Sequence, residues 1–138
     1  MPPLTRWFVR SALLWFLLAL STGVLLAGGV SADIPGTTWT LPYPTYLHLL
    51  TVGWLTNLIF GVAFWMFPRY TAEHPRGSDA LGWLAYTGLN AGLLLRLVGE
   101  PIQMSGGGSG TLLLLSAGLQ LLGAWAFVLN TWPRVKVK

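Results

Sequence analysis

The chain has 138 residues, 54% apolar and 9% charged, with a formal net charge of +4 and a mean hydropathy of +0.62. A soluble domain carries roughly 25% charged residues because its surface must be hydrated, so this composition excludes a soluble globule and points to a bilayer. The absence of Cys excludes disulfide frameworks, thiolate metal sites, iron–sulfur clusters and covalent c-type haem.

Four apolar runs follow one another, each close to the roughly 20 residues that a membrane helix needs. The first covers residues 11–30, follows Arg6 and Arg10, and exits through Ser31-Ala32-Asp33-Ile34-Pro35-Gly36. Val30-Ser31-Ala32 has the small-residue character of a signal-peptidase site, but the run before it is long for a signal sequence, and a span is the expectation. Pro42 and Pro44 introduce the second run, residues 46–67, and Pro68-Arg69 ends it, since proline suits a first helical turn and disfavours helix before it. The third, residues 80–100, starts after the capping pair Ser78-Asp79 and is expected to end at Glu100-Pro101. A glycine-rich turn, residues 105–110, leads to the fourth, residues 111–132. The predicted fold is all-α: one integral membrane four-helix bundle occupying residues 1–138.

Charge orients this bundle. Arg6, Arg10, Arg69, Arg76, Arg134, Lys136 and Lys138 fall at the N-terminus, the second loop or the C-terminus, which lie on one side of a four-span chain. Asp33 and Glu100 fall on the other side, and the positive-inside rule places both termini in the cytoplasm. Trp7, Trp39, Tyr43, Tyr46, Trp65, Tyr70, Trp83 and Trp132 sit near span ends, where amphipathic rings favour the interface. The cations are dispersed singly, so the basic balance reports membrane topology and not a nucleic-acid partner.

Polar side chains are costly in hydrocarbon, which makes the polar residues within the spans the functional leads: His48, Asn57, Asn90, Arg96 and Gln120. His48 and Arg96 each lie on the order of 6 Å below the outer boundary, at a helical rise of about 1.5 Å per residue, and so share a depth. Below His48 its helix face carries Thr51, Val52, Leu55, Ile59, Val62 and Met66. The opposite face carries Gly53, Asn57 and Gly61, a row suited to close packing with an interhelical hydrogen bond. In the third run Gly88, Gly92, Arg96 and Glu100 form a stripe with little bulk, against which a flat ligand could lie. Each lead has a plainer alternative: His48 bonded to a nearby carbonyl, Arg96 snorkelling to Glu100, Gly88 and Gly92 as packing surface, Gln120 and Asn90 as interhelical glue, and His74 solvated in a loop.

The segment PYPTYLHLLTVGWL, residues 42–55, with FWMFP, residues 64–68, resembles the second helix of haem-copper oxidase catalytic subunits, above all the cytochrome oxidase and nitric oxide reductase branches. In that family a histidine near the outer start of this helix ligates the low-spin haem, and His48 has that position and direction. The family's further haem and copper histidines have no counterpart, because the only other histidine is His74. The resemblance therefore implies a reduced four-helix relative that keeps a b-type haem, with His48 on the iron, no copper and no oxygen- or nitric-oxide-reducing site.

Three sources for a second axial ligand stay open: His48 of a second copy in a homodimer, Met104, or none. The homodimer is preferred, since a two-fold axis brings one residue from each copy to a point. Thr45 or Thr51 would hold the other ring nitrogen of His48, Arg96 would neutralise a haem propionate, Glu100 would orient Arg96, and Gly88, Gly92 and Leu55 would border the macrocycle. The expected role is electron transfer in the cytoplasmic membrane with a respiratory complex or electron carrier as partner. The alternative is a haem-free structural or assembly subunit of such a complex, while no intramembrane acid supports an ion channel or transporter.

Overall fold

The computed structural model describes residues 1–29, 31–34, 37–40, 42–68 and 76–135. His74, Arg69, Tyr70, Lys136 and Lys138 lie outside the described residues. Four helices are long and apolar enough to cross a membrane: α1 Pro3–Ala27, α2 Tyr43–Met66, α3 Asp79–Met104 and α4 Gly110–Thr131, the last continued by a 3-10 turn over Trp132–Arg134. The chain is a multi-pass membrane protein with a four-helix bundle fold. Leu4, Phe64, Ala85 and Ala126 share one core cluster, which sets the start of α1, the end of α2, the start of α3 and the end of α4 at the same end of the bundle. This is termed the basic end below, for Arg6, Arg10, Arg76 and Arg134.

The boundaries differ from the expected ones where proline and short polar segments decide. Pro3 opens α1 well before residue 11, because the missing N–H of a first-turn proline costs nothing there, and Gly29 at φ 63° ends the helix after Ala27. Pro42 likewise caps α2, which begins at Tyr43. The expected exit loop after α1 contains a hairpin: β1 Ser31–Ile34 pairs antiparallel with β2 Thr37–Thr40, Ser31 opposite Thr40. Helix α3 runs one turn past Glu100-Pro101 to Met104. Proline removes one backbone donor, the one that would serve Leu97 O, without ending the helix here, and Ser109 Oγ donates to the Gly99 carbonyl at 2.7 Å in the same last turns.

Helix α2 is not uniform. Between its α-helical ends, Tyr43–His48 and Asn57–Met66, residues Leu49–Thr56 form a π-helix. Two carbonyls in that wide turn are taken by side chains five residues on, Thr51 O by Thr56 Oγ1 at 2.9 Å and Val52 O by Asn57 Nδ2 at 3.0 Å. Gly53 sits at its inner edge, where a Cβ would stand 2.8 Å from Trp15 Cβ and 2.9 Å from Leu93 Cδ2. Only glycine lets α1 and α3 come this close to the widened turn.

Fully buried Asn57 also accepts from Asn90 Nδ2 at 3.0 Å, and Asn90 Oδ1 accepts from Trp15 Nε1 at 2.7 Å. One hydrogen-bonded chain thus joins α1, α2 and α3 within the membrane. The Gly53–Asn57–Gly61 row is a packing face, as its pattern indicates. Gln120 departs from its expected role, since its buried Nε2 has no partner among the described residues. Its side chain instead packs over Gly92, where a Cβ would lie 2.7 Å from Gln120 Cγ.

Helices α3 and α4 make the closest pair. A Cβ on Gly88 would stand 2.8 Å from Leu119 O and 3.0 Å from Gly123 Cα, and one on Gly92 would stand 2.8 Å from Ser116 O. These neighbours are backbone and cannot turn aside. At the basic end Phe60 and Phe127 stack at 3.7 Å between centroids, tying α2 to α4. Arg134 is buried there, its Nε donating to Pro68 O at 3.0 Å and its Nη2 to Phe64 O at 3.1 Å and Phe67 O at 2.7 Å. A cation thereby satisfies carbonyls that the end of α2 leaves without helical partners.

Gly88→Ala is expected to lower stability in detergent by about 1–3 kcal/mol, because overpacking against fixed backbone must push α3 and α4 apart. Gly118→Ala, where an added Cβ meets nothing within 4 Å, should instead be neutral or stabilise by up to about 1 kcal/mol through helix propensity. Thermal unfolding followed by circular dichroism compares the two.

Candidate functional site

The polar side chains at the other end of the bundle converge on Glu100. Pro42 caps α2 and Pro44 lies in its first turn, so Thr45 and His48 follow on adjacent faces of a pre-organised helix start. Thr45 is buried and its Oγ1 donates to Glu100 Oε2 at 2.6 Å. Glu100 Oε1 lies 3.2 Å from Arg96 Nη1 and 3.0 Å from His48 Nδ1. The carboxylate is therefore shared by one side chain of its own helix and two of α2, at only 8% side-chain exposure.

Arg96 is held at both sides of its guanidinium. Its Nε donates to Ser116 Oγ at 3.3 Å, and Ser116 Oγ donates in turn to Gly92 O at 2.7 Å. Its Nη1 also reaches His48 Nε2 at 3.2 Å. The shared depth of His48 and Arg96 is realised as direct contact between them. Arginine keeps its N–H groups, so at this contact Nε2 is the acceptor. His48 Nδ1 then carries the ring proton, which suits its other neighbours, since Pro44 O lies 2.8 Å away beside the Glu100 carboxylate.

Several expected positions need correction. Neither Thr45 nor Thr51 holds the His48 ring: Thr45 is turned to Glu100, and Thr51 Oγ1 donates to Leu47 O at 2.7 Å within its own helix. A backbone carbonyl and a carboxylate serve instead, because the first turn of α2 leaves Pro44 O within reach of the residue four positions on. Gly88 and Gly92 border no open groove. The space beside them is filled by Ser116, Leu119, Gln120 and Gly123 of α4. Thr51 and Leu55 are exposed on the outer face of α2 with Ile59 and Met66, while Val52 of that predicted face turns to the core. Met104 is exposed at the end of α3.

Glu100 and Ser116 are the members that sequence reasoning undervalued. The i,i+4 spacing already suggested an Arg96–Glu100 pair, but nothing in linear order indicates that Glu100 is buried or that Thr45 and His48 point at it. Chemically the cluster offers one imidazole with a fixed tautomer, backed by a carboxylate and flanked by a guanidinium. Among the described residues no group of three or more His, Cys, Asp or Glu side chains is placed to hold a metal ion, and His48 is the one imidazole among them.

Glu100→Gln is expected to cost about 1–3 kcal/mol, since it leaves Arg96, at 18% side-chain exposure, without its counter-charge. Thr45→Val should cost less, as Glu100 keeps its other partners. Thermal midpoints of the two variants in one detergent give the comparison. No family model matches the chain, and neither a curated protein sequence nor a solved structure matches it.

Proposed function

We propose that the protein binds a b-type haem through His48 and serves in electron transfer across or along the membrane. The observation that carries this is the anchoring of the His48 ring. Histidines that ligate metals donate their other ring N–H to a carbonyl or carboxylate, which fixes the tautomer and strengthens the donor nitrogen. His48 has both kinds of acceptor at Nδ1, Pro44 O at 2.8 Å and Glu100 Oε1 at 3.0 Å, and its side chain is 31% exposed. The resemblance of residues 42–68 to the haem-ligating helix of haem-copper oxidases supports the same assignment.

The residues present fit one axial bond. Nε2 is the donor, and the neighbour to be displaced is Nη1 of Arg96, a charged group at the end of a flexible side chain. Freed from Nε2, that guanidinium keeps Ser116 at Nε and Glu100 at Nη1, and its Nη2 is suited to pair with a propionate. When bound, the haem supplies a one-electron carrier. A second copy of the chain contributes the second histidine, which makes one haem per two chains, and the exposed Leu55 and Ile59 continue that contact. The concentration of cations at the basic end supports a cytoplasmic position for both termini, in a bacterial or archaeal cytoplasmic membrane.

A haem-free structural or assembly role in a respiratory membrane complex is favoured by one observation: Arg96 already satisfies Nε2, and the glycine stripe beside it is filled by α4. Purified protein with a reduced-minus-oxidised b-type band and one haem per two chains is the expected outcome. Absence of the band decides for the haem-free role, and one haem per chain removes the shared-ligand dimer. His48→Ala should abolish the low-spin spectrum, and Arg96→Leu should weaken haem retention or shift its potential. An unchanged spectrum in His48→Ala would sink the assignment.

A further inference from the structure

The neutral His48 ring has one lone pair to give, at Nε2, and Arg96 Nη1 takes it at 3.2 Å. A metal would need that same lone pair, so the arginine contact and an iron bond exclude each other. The guanidinium is tethered where it stands: Ser116 Oγ holds its Nε at 3.3 Å and Glu100 Oε1 holds its Nη1 at 3.2 Å. Thr45 Oγ1 in turn fixes the other oxygen of Glu100 at 2.6 Å. Nη2 donates no hydrogen bond among the described residues, and the arginine side chain is 18% exposed.

Any ligand of His48 must therefore break a hydrogen bond from a charged donor before it reaches Nε2, and such bonds are among the stronger ones in proteins. A metal centre that carries no acid group gains nothing in exchange, because it comes to rest beside a cation. A porphyrin with free carboxylates offers that cation an anion on the Nη2 edge, in the planar geometry that guanidinium groups favour. The group then has only to pivot about Ser116 and Glu100, which keep Nε and Nη1. Affinity for a ligand that cannot drive this pivot is reduced to the fraction of molecules in which Nε2 is already uncovered.

We propose that Arg96 is the specificity-determining residue of the His48 site: it withholds the lone pair of His48 from metal centres without acid groups and yields it to a porphyrin that bears free propionates. The gate presupposes the haem assignment at His48 and adds to it the class of ligand admitted. Discrimination then comes from a contact that must be broken as well as from one that is gained.

The test titrates the full chain in neutral detergent with haem b and with its dimethyl ester, whose propionates carry no charge, and follows the low-spin absorption band. Wild-type protein should bind the ester about ten-fold or more weakly than the free acid, since a charged hydrogen bond is lost without replacement. In Arg96→Leu the ester should bind about ten-fold or more tightly than it does in wild type, and the preference for the free acid should disappear. That gain separates a gate from a plain propionate anchor, whose removal would weaken the acid and leave the ester unchanged. If Arg96→Leu does not fold, Ser116→Ala, which releases the Nε tether, should raise ester affinity by a smaller factor. Equal binding of acid and ester by wild type overturns the gate and leaves the haem assignment standing, as does an ester that gains nothing in the folded variant. Absence of a low-spin band with either porphyrin, in wild type and in the variant alike, removes the haem assignment and the gate with it.

Discussion

The carboxamide of Asn57 is the interaction on which most of this structure depends. It closes the π-helical turn of α2 by donating to Val52 O, and it receives the Asn90 amide that in turn accepts from Trp15. In hydrocarbon a freed carbonyl has no water to turn to, so a π segment within a span survives only where protein groups take its acceptors. Asn57 and Thr56 do so. The same hydrogen bonds fix α2 against α1 and α3, and so determine how the upper turn of α2, with Thr45 and His48, meets Glu100 of α3.

At that upper turn the energetics turn on burial. A carboxylate at 8% exposure must be paired, and Glu100 is supplied with a hydroxyl, a guanidinium and an imidazole from two helices. Removing one partner of such a cluster costs more than the cluster as a whole contributes, because the remaining charge is left buried. The arrangement also gives His48 a defined tautomer. A haem would use this ring at Nε2 and draw Arg96 toward its propionates. Without a haem, the cluster is a self-satisfied joint between α2 and α3.

The basic end obeys the same rule with different groups. Arg134 reads in the sequence as one more positive residue outside the last span, yet its guanidinium is buried over the Phe64 and Phe67 rings, 5.6 Å and 5.9 Å from their centroids, and bonded to three carbonyls of the α2 terminus. It joins the 3-10 turn that follows α4 to the second helix. The pairing of α3 with α4 rests on glycines at Gly88, Gly92 and Gly123 that permit backbone contact, with Ser116 of α4 bonded to Gly92 O and Arg96 of α3.

Hydropathy alone was enough to determine the number and order of the spans, because a bilayer selects roughly 20-residue apolar segments whatever their partners. Four-residue periodicity likewise identified Gly53, Asn57 and Gly61 as a packing face and brought His48 and Arg96 to one depth, since both follow from helix geometry without reference to neighbours. What linear order could not decide was which neighbour each face receives. Gly88 and Gly92 read equally well as a ligand groove or a packing surface, and α4 fills the space. The burial of Glu100 and Arg134 depends on contacts between residues far apart in the chain, such as Thr45 with Glu100 or Arg134 with Pro68, and the π turn packs against Trp15 and Leu93 of other helices. A polar group's role in a membrane is set by the partner it finds, and only the tertiary structure supplies that partner.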